Sequence, residues 1–329
     1  MKVLVIGGAG YIGSNMVLKL LENKHSPVVF DNLCTGHRRL VPKKVPFVKG
    51  DLRNFQDILT ALKEHKADAV MHFAASALVG ESVENPLKYY DNNVVACVQL
   101  LKAMKETKVN KFIFSSTCAI FGEPRHVPIR EDDPKSPMNP YGQSKLTIEH
   151  MLRDLARSSD LRYVVLRYFN ACGAHPSGEI GELHDPEAHL IPNVLKVLTG
   201  EKKELQIFGD DYDTPDGTCV RDYVHIEDLA IAHLRALETL VKGKKSDVFN
   251  LGSGDGHSVR EIVQAVERVT GQKVKVKMCP RRPGDPAKLV AGADKARKIL
   301  GWRPRHDLES IIRTAWRWEK SKAKKEVMG

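Results

Sequence analysis

The chain has 329 residues, enough for one large or two ordinary domains, and its 42% hydrophobic and 28% charged content is that of a soluble globular protein. No run approaches the roughly 20 apolar residues of a membrane span, and the first residues form a short apolar strand, not a charged-then-apolar leader, so a cytoplasmic location and no membrane partner are expected. The formal charge of +10 is spread out apart from Lys320–Lys325, which reads as a solvated helix end, so an anionic small substrate fits the balance and no nucleic-acid partner is expected. Six scattered cysteines without a C-x-x-C pair point to neither a disulfide framework nor a zinc site.

Lys2–Ile6 reads as a strand that breaks into Gly7-Gly8-Ala9-Gly10-Tyr11-Ile12-Gly13 and re-enters as a helix through Leu21. Such a turn leaves backbone N–H groups and the positive helix end facing outward, which suits a pyrophosphate. Gly7, Gly10 and Gly13 are spaced one residue wider in the first gap than the commonest dinucleotide fingerprint. A second strand, Val28–Asp31, ends in an acid 24 residues after Gly7, where a carboxylate holds ribose hydroxyls and would repel a 2′-phosphate. NAD is therefore expected over NADP; Asp31 as a plain turn residue, with Arg38 and Arg39 nearby, is the competing reading.

An element at Val45–Lys49, a helix over Phe55–Glu64, a strand over Ala69–Phe73 and one long amphipathic helix from Leu87 to Lys105 follow. Then come a strand over Lys111–Ser115, a helix from Tyr141 to Arg157 and a strand over Tyr163–Leu166. The alternation predicts an α/β fold, a Rossmann-type doubly wound parallel sheet occupying residues 1–170. Residues 171–329 predict a smaller, loop-rich α/β substrate domain, with some segments returning to the first. Its expected elements are helices over Leu190–Thr199 and Val259–Thr270, strands over Leu205–Phe208, Val248–Leu251 and Val274–Met278, and helices from Ala293 and Asp307.

Asn139 as N-cap and Pro140 at the first helical position start a helix that puts Tyr141 and Lys145 on one face. An ammonium beside a phenol lowers the phenol's pKa, so Tyr141 is expected to act as a base near neutral pH. Ser115-Ser116-Thr117 ends a strand 24 residues earlier, and a hydroxyl there could hold a substrate oxygen and relay its proton. His175, His184 and His189 with Asp185 and Glu187 match no familiar ligand spacing, so no metal is expected.

The chain resembles the extended short-chain dehydrogenase/reductase superfamily, and within it the family of UDP-glucose 4-epimerases. The resemblance rests on motifs in order along nearly the whole chain. They include G-G-A-G-Y-I-G (7–13), D-N-L (31–33), G-D-L-R (50–53), H-F-A-A (72–75), S-S-T (115–117), N-P-Y-G-Q-S-K (139–145), R-Y-F-N (167–170), V-R-D-Y-V-H-I-E-D-L-A (220–230) and R-R-P-G-D-P (281–286). It implies a catalytic group of Thr117, Tyr141 and Lys145. It further implies cofactor contacts from Tyr11, Ile12, Asn32, Asp51, Leu52, Phe73, Ala74, Ala75, Asn92, Ser115 and Tyr168. Substrate contacts are implied from Thr117, Tyr141, Asn170, His189, Leu190, Gln206, Phe208, Arg221, Arg282, Asp285 and Leu289. Two arginines can clamp a diphosphate, Phe208 can pack on uracil and Asp285 can accept from ribose hydroxyls; an Arg221–Asp222 ion pair and a core role for Phe208 are the structural alternatives.

The implied activity interconverts UDP-glucose and UDP-galactose through a transient 4-keto sugar and enzyme-bound NADH, in a homodimer joined by the 87–105 and 141–157 helices. Three departures bear on it. Ala75–Leu78 lacks a lysine that some relatives carry, implying looser NAD; His189 replaces an asparagine; and Leu289 is intermediate in size where an N-acetyl group would have to fit. The sugar therefore stays open between glucose/galactose, N-acetylated and uronic acid forms. A nucleotide-sugar 4,6-dehydratase would place Asp-Glu directly after the threonine, where this chain has Cys118-Ala119, and a catalytically silent NAD-sensing protein is at odds with the Tyr-Lys pair.

Overall fold

The computed structural model describes residues 1–282 and 285–327, with side chains through Lys322; Pro283 and Gly284 of the R-R-P-G-D-P motif lie outside the described residues, as do the side chains of Lys324 and Lys325. Strands β1 (Lys2–Ile6), β2 (Ser26–Asp31), β3 (Phe47–Lys49), β4 (Ala69–His72), β5 (Lys111–Thr117) and β6 (Arg162–Tyr168) alternate with helices. These are α1 (Tyr11–Glu22), α2 (Phe55–His65), α3 (Val79–Glu84), α4 (Pro86–Tyr89), α5 (Ala96–Glu106) and α6 (Pro140–Ser158). There follow β7 (Asn170–Cys172), α7 (Leu190–Leu198), β8 (Leu205–Phe208), β9 (Val220–Arg221), β10 (Tyr223–His225) and α8 (Ile226–Val241). The chain continues through β11 (Asp247–Leu251), β12 (His257–Ser258), α9 (Val259–Thr270), β13 (Val276–Cys279), β14 (Lys288–Leu289), α10 (Asp294–Leu300) and α11 (Leu308–Val327).

Seven strands form one sheet in the order β3-β2-β1-β4-β5-β6-β11, every pair parallel. Its strands read as unbroken apolar runs because both faces are covered: Val3, Leu4, Val5 and Ile6 are all fully buried. One face packs against α1 and α8 through Met16, Val17, Leu20, Leu229 and Leu237. The other packs against α2, α5 and α6 through Ile58, Leu62, Leu100 and Leu152. The order reverses between β1 and β4, which places a crevice at the carboxyl ends of those strands.

The second lobe has three small sheets, β10-β7, β12-β9-β14 and β13-β8. Its core joins α7, α9 and α11, with Val194, Ile207, Ile262 and Ile312 buried. The seventh strand of the main sheet, β11, comes from inside the 171–329 stretch.

Two expectations need correcting. The single helix from Leu87 to Lys105 is α4 and α5 joined by a π-helical stretch, Tyr90–Val95. Wider turns of this kind cluster at functional sites; here the stretch carries Asn93, whose amide donates to the Ser76 carbonyl and to Ser144 Oγ (3.0 Å). Helix α8 has no counterpart in the sequence reading. Wedged against the sheet, it buries Ile226, Asp228, Leu229, His233, Leu237 and Leu240 and leaves a narrow stripe through Ile231, Arg235 and Glu238 facing solvent.

Candidate active site

Most anticipated cofactor residues from the first half lie at, or just beyond, the carboxyl end of a sheet strand; Asn92 lies in the π-helical stretch and Tyr141 and Lys145 on α6. At β1, a Cβ on Gly13 would stand 2.2 Å from the Gly7 carbonyl oxygen, and one on Gly7, whose φ is +75°, would stand 2.6 Å from the Ala74 nitrogen. Both positions exclude a side chain. Gly10 is different: it is the α1 N-cap, gives no side-chain cap and meets nothing closer than 3.4 Å, which leaves the first amides of α1 open to an anion.

Asp31 ends β2 and accepts from the Ala9 N–H (3.0 Å) and the Leu33 N–H (2.8 Å), tying turn to strand. Burial raises its carboxyl above the usual range against those two donors. A carboxylate offers about four acceptor positions, so two remain for ribose hydroxyls. Asp51, just beyond β3, takes a two-pronged contact from Arg53 (3.0 and 2.7 Å) and one from Asn32 (3.3 Å); the Arg53 hydrogen bonds hold it well below the usual carboxylate range. Leu52 beside it is buried. Phe73, Ala74 and Ala75 follow β4, with Phe73 packed on His233 at 4.9 Å. Asn92 reaches Ser76 Oγ at 3.2 Å.

The anticipated catalytic trio stands where β5 meets α6. Asn139 accepts from the Gly142 N–H (2.9 Å) and Pro140 opens the helix, so the Tyr141 and Lys145 side chains emerge one turn apart beneath the strand end. The Thr117 hydroxyl hydrogen-bonds Tyr141 and lowers its pKa, but burial outweighs this and pushes the phenol up to about 12. Lys145 is buried, donates to the Ser115 carbonyl at 2.9 Å over the Phe114 ring, and is pushed down to about 8 by burial. The expected depression of the Tyr141 pKa by Lys145 is thus not present among the protein's own groups: the ammonium is engaged by a carbonyl, and desolvation of the phenolate dominates.

Three residues missed in the sequence support this trio. Glu149 accepts from Ser116 Oγ (2.6 Å) and pairs in a fork with Arg167 (2.6 and 3.0 Å), all three buried. Glu149 falls one further turn along the Tyr141–Lys145 face, so a Y-x-x-x-K-x-x-x-E pattern could have revealed it. His233 holds Ser115 Oγ at 3.0 Å and the Leu229 carbonyl at 2.8 Å, from the helix that periodicity did not show. Burial raises the neighbouring Tyr168 phenol, and a hydrogen bond with Ser115 opposes it.

The second lobe supplies the remaining anticipated residues. Gln206 and Phe208 share the outer face of β8, opposite the buried Leu205 and Ile207. Arg282 lies 3.8 Å over the Phe208 ring. Arg221 approaches Asp285 at 3.6 Å; it does not pair with Asp222, which is buried and accepts from Ser253 (N–H and Oγ, both 2.7 Å), Gly254 (3.1 Å) and Ala291 (3.0 Å). Asn170 donates to the Asp222 carbonyl (2.9 Å), and Leu289 pairs in register with Arg221. Leu289 also packs with Phe121 and Leu146, which brings β14 against α6. Leu190 opens α7, and His189 Nδ1 just before it turns towards Glu182 and Glu187.

Residues 3–252 match the sequence profile of the NAD dependent epimerase/dehydratase family. The chain belongs to that family. Within this epimerase/dehydratase family it is 51% identical, over 97% of its length and 96% of the relative's, to the UDP-glucose 4-epimerase of Halalkalibacterium halodurans. Among solved structures it is similar to the UDP-glucose 4-epimerase of Brucella ovis in complex with NAD (TM-score 0.93, 49% identity, covering 96% of this chain and 97% of that one). It is also similar to that of Bifidobacterium longum in complex with NAD+ and UDP (TM-score 0.94, 40% identity, covering 98% and 99%).

Proposed function

We propose that this chain is an NAD-dependent UDP-glucose 4-epimerase that interconverts UDP-glucose and UDP-galactose through a 4-keto sugar. The observation that carries this is the meeting of a glycine-built anion turn with a Thr117-Tyr141-Lys145 group, its threonine and lysine buried, on one sheet edge, roofed by a lobe bearing Arg221, Arg282 and Phe208. The two halves are close enough that the thiol of Cys118, next to Thr117, feels the charge of Arg221. Gly7, Gly10 and Gly13 would hold the pyrophosphate, and Asp31 the adenosine ribose.

NAD, when bound, supplies the hydride acceptor and donor and a positive ring near the phenol. Tyr141 takes the proton of the sugar 4-hydroxyl and later returns it, with Thr117 holding the same oxygen. Because burial favours the phenol, proton return is the easier half on protein groups alone. Lys145 adds positive charge below the ring while it remains protonated. Arg221 and Arg282 hold the diphosphate so that the keto sugar turns about its anomeric linkage and presents its other face. Dehydration is disfavoured by Cys118, which burial pushes up to about 12 and keeps neutral, so it is no acid–base partner at C5 or C6.

The same reading extends to assembly and location. Val83, Leu87 and Val95 stand 62%, 78% and 45% exposed along α3 to α5, beside α6, an apolar edge suited to a homodimer of four helices. No described helix is long and apolar enough to cross a membrane, in keeping with a cytoplasmic enzyme. The test is NMR of the purified protein with UDP-galactose, with and without added NAD, repeated with UDP-N-acetylglucosamine. Formation of UDP-glucose without stoichiometric NADH is expected; a 4-keto-6-deoxy product would mean a dehydratase, and no turnover despite NAD binding would favour the sensing protein. Conversion of the N-acetylated sugar would show that Leu289 leaves room for it.

A further inference from the structure

Between the glycine turn and α7 runs a loop, residues 182–189, whose side chains fold inward on a single point. Glu182, His184, Glu187 and His189 place one nitrogen or oxygen each within 4.8 Å of all the others. His184 Nδ1 is 3.1 Å from Glu182 and 3.8 Å from Glu187; His189 Nδ1 is 2.7 Å from Glu182 and 3.1 Å from Glu187. Separate ion pairs would match each imidazole with its own carboxylate. Here both nitrogens face both carboxylates, as they would around one shared cation.

The carboxylates are the enclosed members: their side chains are only 6% (Glu182) and 3% (Glu187) exposed, whereas the imidazoles reach towards solvent. Two buried negative groups side by side are costly without compensating positive charge. Spacing along the chain matches no familiar ligand set, yet three of the residues it singles out, His184, Glu187 and His189, meet here, joined by Glu182. His175 lies elsewhere, near Glu22 (3.5 Å) and Glu227 (3.6 Å), and Glu182 had not been considered.

We propose that Glu182, His184, Glu187 and His189 form a structural zinc site. Two imidazole nitrogens and two carboxylate oxygens are ordinary zinc donors, and four protein ligands close the tetrahedron, leaving no open position for a substrate. Bonds of about 2.0–2.1 Å put tetrahedral ligands about 3.3 Å apart; the four nitrogen–carboxylate distances of 2.7–3.8 Å bracket that spacing, and on binding the closest pair would open while the widest closes. A 2+ ion balances the two carboxylates with both histidines neutral. The ion would pin the loop that starts α7 against the cofactor side of the sheet, since the His184 ring stands edge-on to Tyr11, the first residue of α1, at 6.2 Å between centroids.

The test uses the full chain, stripped with a chelator, freed of chelator and titrated calorimetrically with Zn2+ alone. One Zn2+ per chain is expected, with a rise in melting temperature because only the folded chain assembles the four donors. Glu182→Gln and His184→Asn should each weaken Zn2+ binding by at least about 100-fold and abolish that rise, while circular dichroism stays that of the unsubstituted protein. Should either variant fail to fold, Co2+ in the unsubstituted chain decides: intense visible bands of tetrahedral Co2+ support the site, and the weak bands of six-coordinate Co2+ overturn it. Absence of a saturable Zn2+ site, or isotherms unchanged by both substitutions, also overturns it; the second result would place the ion elsewhere, such as on the exposed Cys34.

Discussion

The two halves of the candidate site are built by different means. On the sheet side, Gly7, Asp31, Asp51, Phe73, Thr117 and Tyr168 sit at or just past the ends of β1 to β6, so a single parallel sheet fixes all of them at once. On the lobe side, Asn170, Arg221 and Leu289 sit on strands of two or three residues, too short to hold themselves. A buried carboxylate does that work instead. Asp222 collects four hydrogen bonds from Ser253, Gly254 and Ala291 and so ties β9 to the loop after β11 and the segment after β14. One side is thus fixed by a continuous sheet and the other by a single buried hydrogen-bonded carboxylate.

Substitutions on the two sides should therefore separate in kinetics. Tyr141→Phe removes the proton carrier but keeps the ring and its packing against Tyr89 (centroids 6.5 Å apart). It should lower kcat by about 10³-fold or more, in the range of general acid–base catalysis, with UDP affinity and melting temperature unchanged; an active variant would remove Tyr141 from the mechanism. Asp222→Asn puts an amide N–H where only acceptors are tolerated. With a buried hydrogen bond lost and a donor facing donors, about 2–3 kcal/mol of stability should go. KM should rise about tenfold while kcat changes little, the signature of lost ground-state binding. Equal losses in kcat from the two variants would show that the two sides do not divide the work as their construction implies.

The same contrast governs what could be read from the amino-acid order. Sheet strands announce themselves as apolar runs between helices, and their ends are where ligands bind, so residues such as Asp31 and Thr117 could be placed before any coordinates. Lobe residues such as Arg221 and Asp285 came only from resemblance, because two-residue strands leave no periodic trace. Helix α8 escaped because its solvent-facing stripe is narrow, a line through Ile231, Arg235 and Glu238, and buried polar residues such as Asp228 and His233 blur the edge of its apolar face. The pKa of Tyr141 escaped for another reason: i and i+4 spacing places Lys145 on the same face, but it does not show that a carbonyl, Ser115 O, takes the ammonium. Glu182 was passed over because it lies in a loop, and convergence of loop side chains depends on turns that spacing alone does not encode.

The smallest expected effect concerns acid, and it also falls on the sheet side. His72, behind the sheet between Phe112 and Phe114, has a buried Nδ1 without a partner among the described residues, and burial depresses its pKa to about 3. His233, buried against Ser115, is held at about 4 by the same cause. Both are neutral in the folded chain at pH 7 and titrate near 6.5 once unfolded. At these two positions, between about pH 6.5 and 4, the unfolded chain therefore binds more protons than the folded one, so their contribution to stability is full above 6.5 and declines as pH falls through this window. The midpoint of urea unfolding should drop steadily from pH 7 to pH 5, and His233→Gln, which keeps an amide for Ser115 but cannot titrate, should flatten that slope. An unaltered slope in this variant would mean that the acid sensitivity arises elsewhere, for example at His225, buried on β10 of the lobe side and also depressed to about 3 by burial.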